Sequence, residues 1–238
     1  MDEFAPYAAH SMPTAQRPLL GLTVLVVEDS RFACDAMRLL CLRSGARIRR
    51  ADCLASARRH LQIYRPSVVI IDMGLPDGSG AELIEELTKA QPHNGVVLAT
   101  SGDLFAEDEA IAAGADGFLA KPLDSLGSFQ QAILSRLPHD QRPSMPRVVP
   151  EEAITPDPVA YRDDLCHAAD TLQTNHQSQV INYVAKFLSG IAMSAKDTPL
   201  HMAAQAVAKA HNEGARSEAV VARLSEMVQA RLAQEPVI

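Results

Sequence analysis

Four short motifs place carboxylates, a hydroxyl and an ammonium group at the ends of apolar segments of the chain. They are the acidic pair Glu28-Asp29, then Asp72, Thr100 and Lys121, in that order. Carboxylate oxygens suit a hard cation such as Mg²⁺, which keeps several waters and needs few protein ligands. The metal would neutralise charge on an incoming phosphoryl group, and a carboxylate can attack phosphorus as a nucleophile. This set of residues therefore predicts phosphoryl transfer to a carboxylate.

The role of each residue in this chemistry follows from its type. Asp72 is the predicted nucleophile, which would form an acyl phosphate. Lys121 is predicted to hold a positive charge against the phosphoryl oxygens, and Thr100 to hydrogen-bond to one of them. The predicted ligands of Mg²⁺ are three carboxylates and one carbonyl: Glu28, Asp29, Asp72 and the backbone carbonyl of Met73.

Each of these motifs follows a run of apolar residues, and the four runs are LTVLVV, SVVII, GVVLA and GFLA. Runs without polar alternation are typical of strands that are buried on both faces of a parallel sheet. Residues just after the carboxyl ends of such strands lie at one edge of the sheet, where open α/β folds bind ligands. The sequence therefore predicts one site assembled from four strands.

The apolar runs alternate with helical patterns over the first 137 residues. Short connections between them favour right-handed crossovers and a doubly wound, five-stranded parallel sheet of the α/β class. Strands are predicted near 22–27, 46–51, 68–71, 96–99 and 117–119, and helices near 30–44, 54–64, 79–90, 106–114 and 124–137.

Residues from about 21 to 137 resemble the receiver domain of a two-component response regulator. The segments that carry the resemblance are VLVVEDS (24–30), VVIIDMGLPDGSG (68–80), VVLATSGD (96–103) and GADGFLAKPL (114–123). The resemblance implies a flavodoxin-like fold and phosphorylation of Asp72 by a histidine kinase or a phosphotransfer protein. It also implies a cis bond between Lys121 and Pro122, and a conformational switch formed by Thr100 and Phe118. An aromatic residue in a strand is often simply part of the core, and that alternative stays open for Phe118.

The length of 238 residues suits two domains rather than one. Six prolines between residues 138 and 158 exclude a long helix there and predict a semi-rigid linker. The predicted organisation is a flexible leader (1–20), a receiver domain (21–137), the linker (138–158) and a four-helix bundle (159–238).

The overall composition disfavours several classes of protein. A net charge of −7 gives no general attraction to nucleic acid or to an anionic membrane. The four cysteines show neither metal-ligand spacing nor a disulfide pattern, as expected of a reduced, cytoplasmic protein. No apolar run approaches membrane-spanning length, and residues 1–18 lack the apolar core of a signal peptide.

The C-terminal region carries helical patterns at 159–173, 179–195, 199–211 and 215–232. Their apolar residues recur at intervals of three and four, which predicts an antiparallel bundle. Residues 151–238 contain seven Lys and Arg against eleven Asp and Glu, a balance of −4, so nucleic-acid binding is disfavoured. The motifs of common enzymatic output domains are absent, and no enzymatic activity is expected.

The segment 184–207 also resembles the central helices of a histidine-containing phosphotransfer domain. In an ungapped alignment Lys186 replaces the phosphorylated histidine, Ser189 replaces a lysine, and Gly190 matches a glycine. Phosphotransfer by this helix is therefore not implied. A generic four-helix bundle and a degenerate phosphotransfer-like domain both remain open.

Three functions are consistent with these patterns. The favoured one is a regulator whose phosphorylation controls protein–protein contact through the bundle, either homodimerisation or docking to a kinase or phosphotransfer partner. The alternatives are a transcriptional regulator with a DNA-binding helical tail and a phosphate sink that competes with another regulator.

Overall fold

The computed structural model describes residues 12–90, 95–103, 105–143, 148–175, 177–213 and 218–234. Within these ranges, an α/β domain built around a parallel sheet is followed by a linker and a bundle of helices. None of the described helices is both long and apolar enough to span a membrane.

Five strands form the main sheet, and a short antiparallel hairpin follows its third strand. In chain order the strands are β1 (Thr23–Val27), β2 (Arg47–Ala51), β3 (Val68–Asp72), the hairpin strands β4 (Gly74–Leu75) and β5 (Gly78–Ser79), then β6 (Val96–Ser101) and β7 (Gly117–Ala120). The order across the sheet is β2-β1-β3-β6-β7, and all neighbouring strands are parallel. The predicted five-stranded parallel sheet is confirmed.

Five helices cover the two faces of this sheet: α1 (Arg31–Ser44), α2 (Leu54–Ile63), α3 (Gly80–Lys89), α4 (Ala106–Ala112) and α5 (Leu126–Leu134). Val24 and Val26 of β1 face a core cluster shared with α1 and α5. The alternate residues Leu25 and Val27 face a second cluster shared with α2, α3 and α4. Because β1, β3 and β6 are buried on both faces, they carry apolar residues at nearly every position and read as continuous apolar runs. The edge strand β2 is mostly exposed and carries three arginines.

The segments on either side of the α/β domain also pack against it. Leu19 is fully buried, and its amide donates to the Ser44 carbonyl at 2.9 Å. The expected flexibility of residues 1–20 therefore does not hold at Leu19, because this side chain completes the α1 side of the core. Residues 1–11 of the predicted leader lie outside the described residues. In the linker, the Ile154 amide donates to the Asp124 carbonyl at 2.7 Å, and the Ile154 side chain is buried in the same cluster.

The C-terminal region forms four helices, α6 (Pro158–Thr174), α7 (Ser178–Ser194), α8 (Thr198–Asn212) and α9 (Glu218–Leu232). Helix α6 packs on α7, α7 on α8, α8 on α9, and α9 returns to α6, so that the helices enclose one apolar core. Arg231 of α9 and Tyr161 of α6 both donate to Asp197, the residue that caps α8. The predicted helical bundle is confirmed.

Candidate phosphoryl-acceptor site

The acidic cluster lies at the carboxyl ends of β1 and β3. Parallel pairing of Val27 with Ile71 brings the residues that follow them side by side. One carboxylate oxygen from each of Glu28, Asp29 and Asp72 lies within 4.8 Å of the others. Glu28 is 1 % and Asp72 is 8 % exposed. The structure therefore brings together the three carboxylates that the sequence predicted.

Lys121 compensates part of this negative charge from the loop that follows β7. Its Nζ lies 2.7 Å from Oε2 of Glu28 and 3.3 Å from Oδ1 of Asp72. The Lys121 amide donates to the Ser101 carbonyl at 2.9 Å, which fixes the loop against β6. The peptide bond from Lys121 to Pro122 is cis, as the resemblance implies.

Burial and mutual repulsion shift the pKa values of this cluster. Burial, and then the charge of Glu28, raise the pKa of Asp72 to about 7, although Lys121 opposes the shift. Burial, Glu28 and Asp72 raise the pKa of Asp29 well above its usual value. Burial alone would lower the pKa of Lys121, but the neighbouring carboxylates outweigh it and raise the pKa. Three carboxylates facing a single ammonium thus leave the site short of positive charge.

The cluster fits a divalent cation. Oδ1 of Asp29 is buried and has no hydrogen-bond partner among the described residues, which leaves a carboxylate oxygen free for a metal. Glu28, Asp29 and Asp72 would hold the ion, and hard oxygen donors of this kind suit Mg²⁺. The carbonyl of Met73 accepts a hydrogen bond from the Gly80 amide at 3.2 Å. Its role as a further metal ligand stays a prediction.

Thr100 lies beside Asp72 in the sheet, but its hydroxyl is engaged elsewhere. The two residues are paired between β3 and β6. The Thr100 hydroxyl is fully buried and donates to the Leu119 carbonyl at 2.8 Å, whereas Ser101 lines the open space in front of Asp72. A phosphoryl contact from Thr100 would require this hydroxyl to rotate, and its role stays a prediction.

Phe118 lies on β7 and is only partly buried. Its side chain packs at the margin of the core cluster on the α2, α3 and α4 side of the sheet. Both the switch role and the core role of Phe118 remain open.

Comparison with known proteins assigns the α/β domain. The family model described as the response regulator receiver domain matches residues 24–133. These residues are a response regulator receiver domain. The receiver domain is similar to the KDP operon transcriptional regulatory protein KdpE of Escherichia coli strain K12, with 31 % identity over 110 residues, 46 % of this chain and 48 % of that protein. It is also similar to the transcriptional regulatory protein DpiA of the same strain, with 32 % identity over 105 residues, 43 % of this chain and 46 % of that protein.

The chain spans about half the length of these two curated relatives. Among solved structures, it is similar to a response regulator protein from Burkholderia pseudomallei that carries a phosphorylated aspartic acid, a calcium ion and citrate. That similarity has 29 % identity and a TM-score of 0.42, and covers 47 % of this chain and 66 % of the other.

The bundle covers the edge of the receiver domain that carries the acidic cluster. Asp164 of α6 accepts hydrogen bonds from the Ser30 hydroxyl at 2.8 Å and from the amides of Arg31 and Phe32 at 2.9 and 3.0 Å. The first amides of a helix have no partner within the helix. A carboxylate of the bundle therefore caps α1 of the receiver domain, directly after the acidic pair.

A second contact reaches the predicted metal ligands themselves. The Tyr183 hydroxyl of α7 donates to Oδ2 of Asp29. Burial, and then the charge of Asp29, raise the pKa of Tyr183, so the phenol stays protonated and remains a donor. Oδ2 of Asp29 is thus occupied by the bundle, while Oδ1 is free.

The two domains also meet through small residues next to Lys121. A Cβ atom added at Gly102 would lie 3.5 Å from both the Cα of Gly190 and the Cβ of Met193. A Cβ atom added at Gly190 would lie 3.8 Å from Nζ of Lys121. The backbone of α7 therefore lies against the rim of the site around Asp72 and Lys121.

An interdomain cavity of about 560 Å³ remains between the two domains, in front of Asp72. The receiver domain contributes Asp72 and the loops around it, and α7 and α8 contribute mainly polar side chains. Lining residues include Asp72, Ser101, Lys121, Asn182, Lys186 and Gln205.

Sequence reasoning missed the roles of Asp164 and Tyr183. Asp164 lies on the buried stripe of α6 beside Leu165 and Ala168, and a charged residue on an apolar stripe was a signal that it meets a polar partner. Tyr183 lies on α7 and packs, partly buried, against the core of the bundle. Its ring does contact Phe187, but its hydroxyl leaves the bundle and reaches Asp29.

Proposed function

We propose that this protein is a response regulator in which Asp72 accepts a phosphoryl group from a histidine kinase or a phosphotransfer protein. Phosphorylation then changes how the bundle contacts other proteins, as a homodimer or in a complex with another partner. In this proposal the bundle is a binding module and not an enzyme.

The acceptor chemistry is supported by the surroundings of Asp72. The ionised carboxylate attacks phosphorus, and the Lys121 ammonium, 3.3 Å from Oδ1, stabilises the charge of the bound phosphoryl group. A Mg²⁺ ion held by Glu28, Asp29 and Asp72 would supply further charge neutralisation. Its positive charge would also lower the raised pKa of Asp72 and keep the nucleophile ionised near neutral pH.

The single observation that links this chemistry to an output is the hydrogen bond from Tyr183 to Asp29. The bundle donates directly to a ligand of the acceptor site. An acyl phosphate adds negative charge and bulk within a few ångströms of this contact. A change at Asp72 therefore alters the free-energy difference between the docked and the undocked bundle. A two-state switch requires such a change.

Two measurements test the proposal. Incubation with acetyl phosphate and Mg²⁺ should add one phosphoryl group by intact-protein mass spectrometry, and Asp72→Asn should remove this adduct. Light scattering and partner pull-down, with and without beryllofluoride, should then show a change in assembly or in affinity. An adduct that persists in Asp72→Asn would place the acceptor elsewhere.

A transcriptional regulator is the second candidate, because the relatives KdpE and DpiA carry that description. Their similarity covers 46 % and 43 % of this chain, and the bundle is acidic. A gel-shift titration at several salt concentrations separates the two candidates. We expect the full chain to show no salt-dependent retardation of DNA, because a phosphate-binding surface requires clustered cations.

A further inference from the structure

We propose that the docked bundle is a gate over Asp72 that excludes protein phosphodonors and admits small acyl phosphates. This inference rests on the proposed function, since it names which donors reach the same acceptor. We call this docked position of the bundle the closed arrangement.

Exclusion follows from the position of α7. A protein donor must bring a phosphohistidine, and the backbone that carries it, up to the Asp72 carboxylate. That approach is occupied by the backbone of α7, where Gly190 lies against Gly102 and near Lys121. An α-helix with its side chains is about 10–12 Å across, so a second helix does not fit between α7 and the receiver domain. A protein donor therefore requires the bundle to move away.

The closed arrangement is held by specific polar contacts. Asp164 is only 3 % exposed and accepts three hydrogen bonds from the start of α1. Two surface ion pairs also join the bundle to the receiver domain, Arg31 with Asp163 at 2.7 Å and Lys196 with Asp124 at 2.8 Å. A buried carboxylate is costly unless hydrogen-bond donors surround it, so these contacts favour the one docking geometry in which Asp164 meets its three donors.

Admission of small donors follows from the interdomain cavity. Its volume of about 560 Å³ lies within the range of about 300–1,000 Å³ that is typical of small-ligand sites. Asp72 and Lys121 line it from the receiver domain, and the exposed side chain of Lys186 brings a second ammonium group from α7. The buried Oδ1 of Asp29 also stays free for a metal in this arrangement. The closed site thus keeps its acceptor, its cations and its free ligand oxygen.

The reaction in the closed arrangement is balanced without a further reactant. An oxygen of the ionised Asp72 carboxylate forms a bond to phosphorus of an acyl phosphate. The bond between phosphorus and the bridging oxygen breaks, and the donor leaves as a carboxylate with that electron pair. No proton transfer or oxidant is needed.

A reversible disulfide tests the gate. The Cβ atoms of Gly102→Cys and Met193→Cys would lie 3.5 Å apart, within the range of about 3.5–4.5 Å found in disulfides. The oxidised double variant is locked closed, and its reduced form is the matched control. Acetyl phosphate should label both forms at rates within about threefold of each other, and Asp72→Asn in the same background should not be labelled.

A panel of purified, phosphorylated phosphotransfer domains is tested on Asp164→Asn. The domain that labels this variant fastest is used as the protein donor. Removing a hydrogen bond to a charged group should shift the opening equilibrium of the bundle by roughly tenfold or more. The protein donor should therefore label Asp164→Asn at least about tenfold faster than wild type. Asp163→Asn is its control, because it removes only an exposed ion pair, and it should be labelled within about fivefold of the wild-type rate. Oxidation of the disulfide should stop labelling by the same donor, and reduction should restore it.

Each alternative result separates the gate from the proposed function. Loss of acetyl phosphate labelling in the oxidised form would show a site closed to all donors and would overturn the selectivity. Equal labelling by the protein donor in both redox forms, or no labelling of Asp164→Asn by any panel member, would overturn the exclusion. Absence of acetyl phosphate labelling at Asp72 in wild type would instead overturn the proposed function itself.

Discussion

Replacing Asp164 with asparagine is expected to loosen the bundle from the receiver domain. The carboxylate accepts from the Ser30 hydroxyl and from the amides of Arg31 and Phe32, all within 3.0 Å. These two amides lie in the first turn of α1, where no carbonyl of the same helix can accept from them. An asparagine has nearly the same shape, but it offers one acceptor oxygen and turns two N–H groups toward existing donors.

The size of the effect follows from the hydrogen bonds that are lost. A hydrogen bond to a charged group contributes about 1.5–3 kcal/mol, and asparagine loses one or two of the three. Burial raises the pKa of Asp164 despite these donors, which shows that placing the charge there has a free-energy cost that offsets part of the gain. We therefore expect the closed arrangement to lose about 2–4 kcal/mol, which corresponds to roughly a 30- to 1,000-fold change in the opening equilibrium.

Amide hydrogen exchange in the full chain measures this change at the site. The amides of Arg31 and Phe32 should exchange roughly 30- to 1,000-fold faster in Asp164→Asn than in wild type. Asp163→Asn is the matched control, because the Asp163 side chain is 46 % exposed. Its surface ion pair contributes at most about 1 kcal/mol. Unchanged exchange at both amides in Asp164→Asn would refute the idea that this carboxylate fastens the two domains.

Three further predictions concern the acceptor site and the thiols. Without metal, Asp72 holds its proton up to a pKa of about 7 in the folded state, whereas its usual pKa is 3.8. In EDTA, the free energy of unfolding of wild type minus that of Asp72→Asn, measured by urea titration, should therefore fall by up to about 4 kcal/mol from pH 4 to 7 and stay level above pH 7. A difference that does not change with pH would contradict the raised pKa. Lys121→Ala should retain Mg²⁺ binding by calorimetry, because the carboxylates remain. It should lose the change in assembly that beryllofluoride induces, because the ammonium group is gone. If that change is preserved, Lys121 does not couple phosphorylation to assembly. Burial raises the pKa of Cys41 to about 12 and that of Cys34 further, whereas Cys166 is exposed. A thiol reagent at pH 7.5 should therefore label Cys166 first, and Cys34 and Cys41 only when the protein unfolds. Peptide mapping identifies the labelled residues.

The position of α7 bears on the two interpretations of the bundle. Lys186, Ser189 and Gly190 all line the interdomain cavity in front of Asp72. These are the residues that the alignment places on the phosphorylated face of a phosphotransfer domain. A generic bundle has no particular reason to present that face to a receiver domain. The placement supports the degenerate phosphotransfer interpretation, which stays a prediction.

The sequence by itself determined the sheet and the convergence of its acidic residues. Strands that are buried on both faces require continuous apolar runs, and the residue that follows each run must lie at the carboxyl edge of the sheet. Glu28, Asp72 and Lys121 were therefore predictable as neighbours. The hairpin of Gly74–Leu75 and Gly78–Ser79 was not, since two-residue strands carry no periodic signal.

Only the tertiary structure decided what the bundle contacts. The hydrogen bond from Tyr183 to Asp29 joins residues 154 positions apart, and that from Ser30 to Asp164 joins residues 134 apart. Helical periodicity specifies which face of a helix is buried, but it does not specify the surface that this face meets. That choice depends on the shape and charge of two folded domains, which exist only once each has formed its own core. For this reason the cluster of Glu28, Asp72 and Lys121 could be predicted from its motifs, whereas the position of the bundle over it could not.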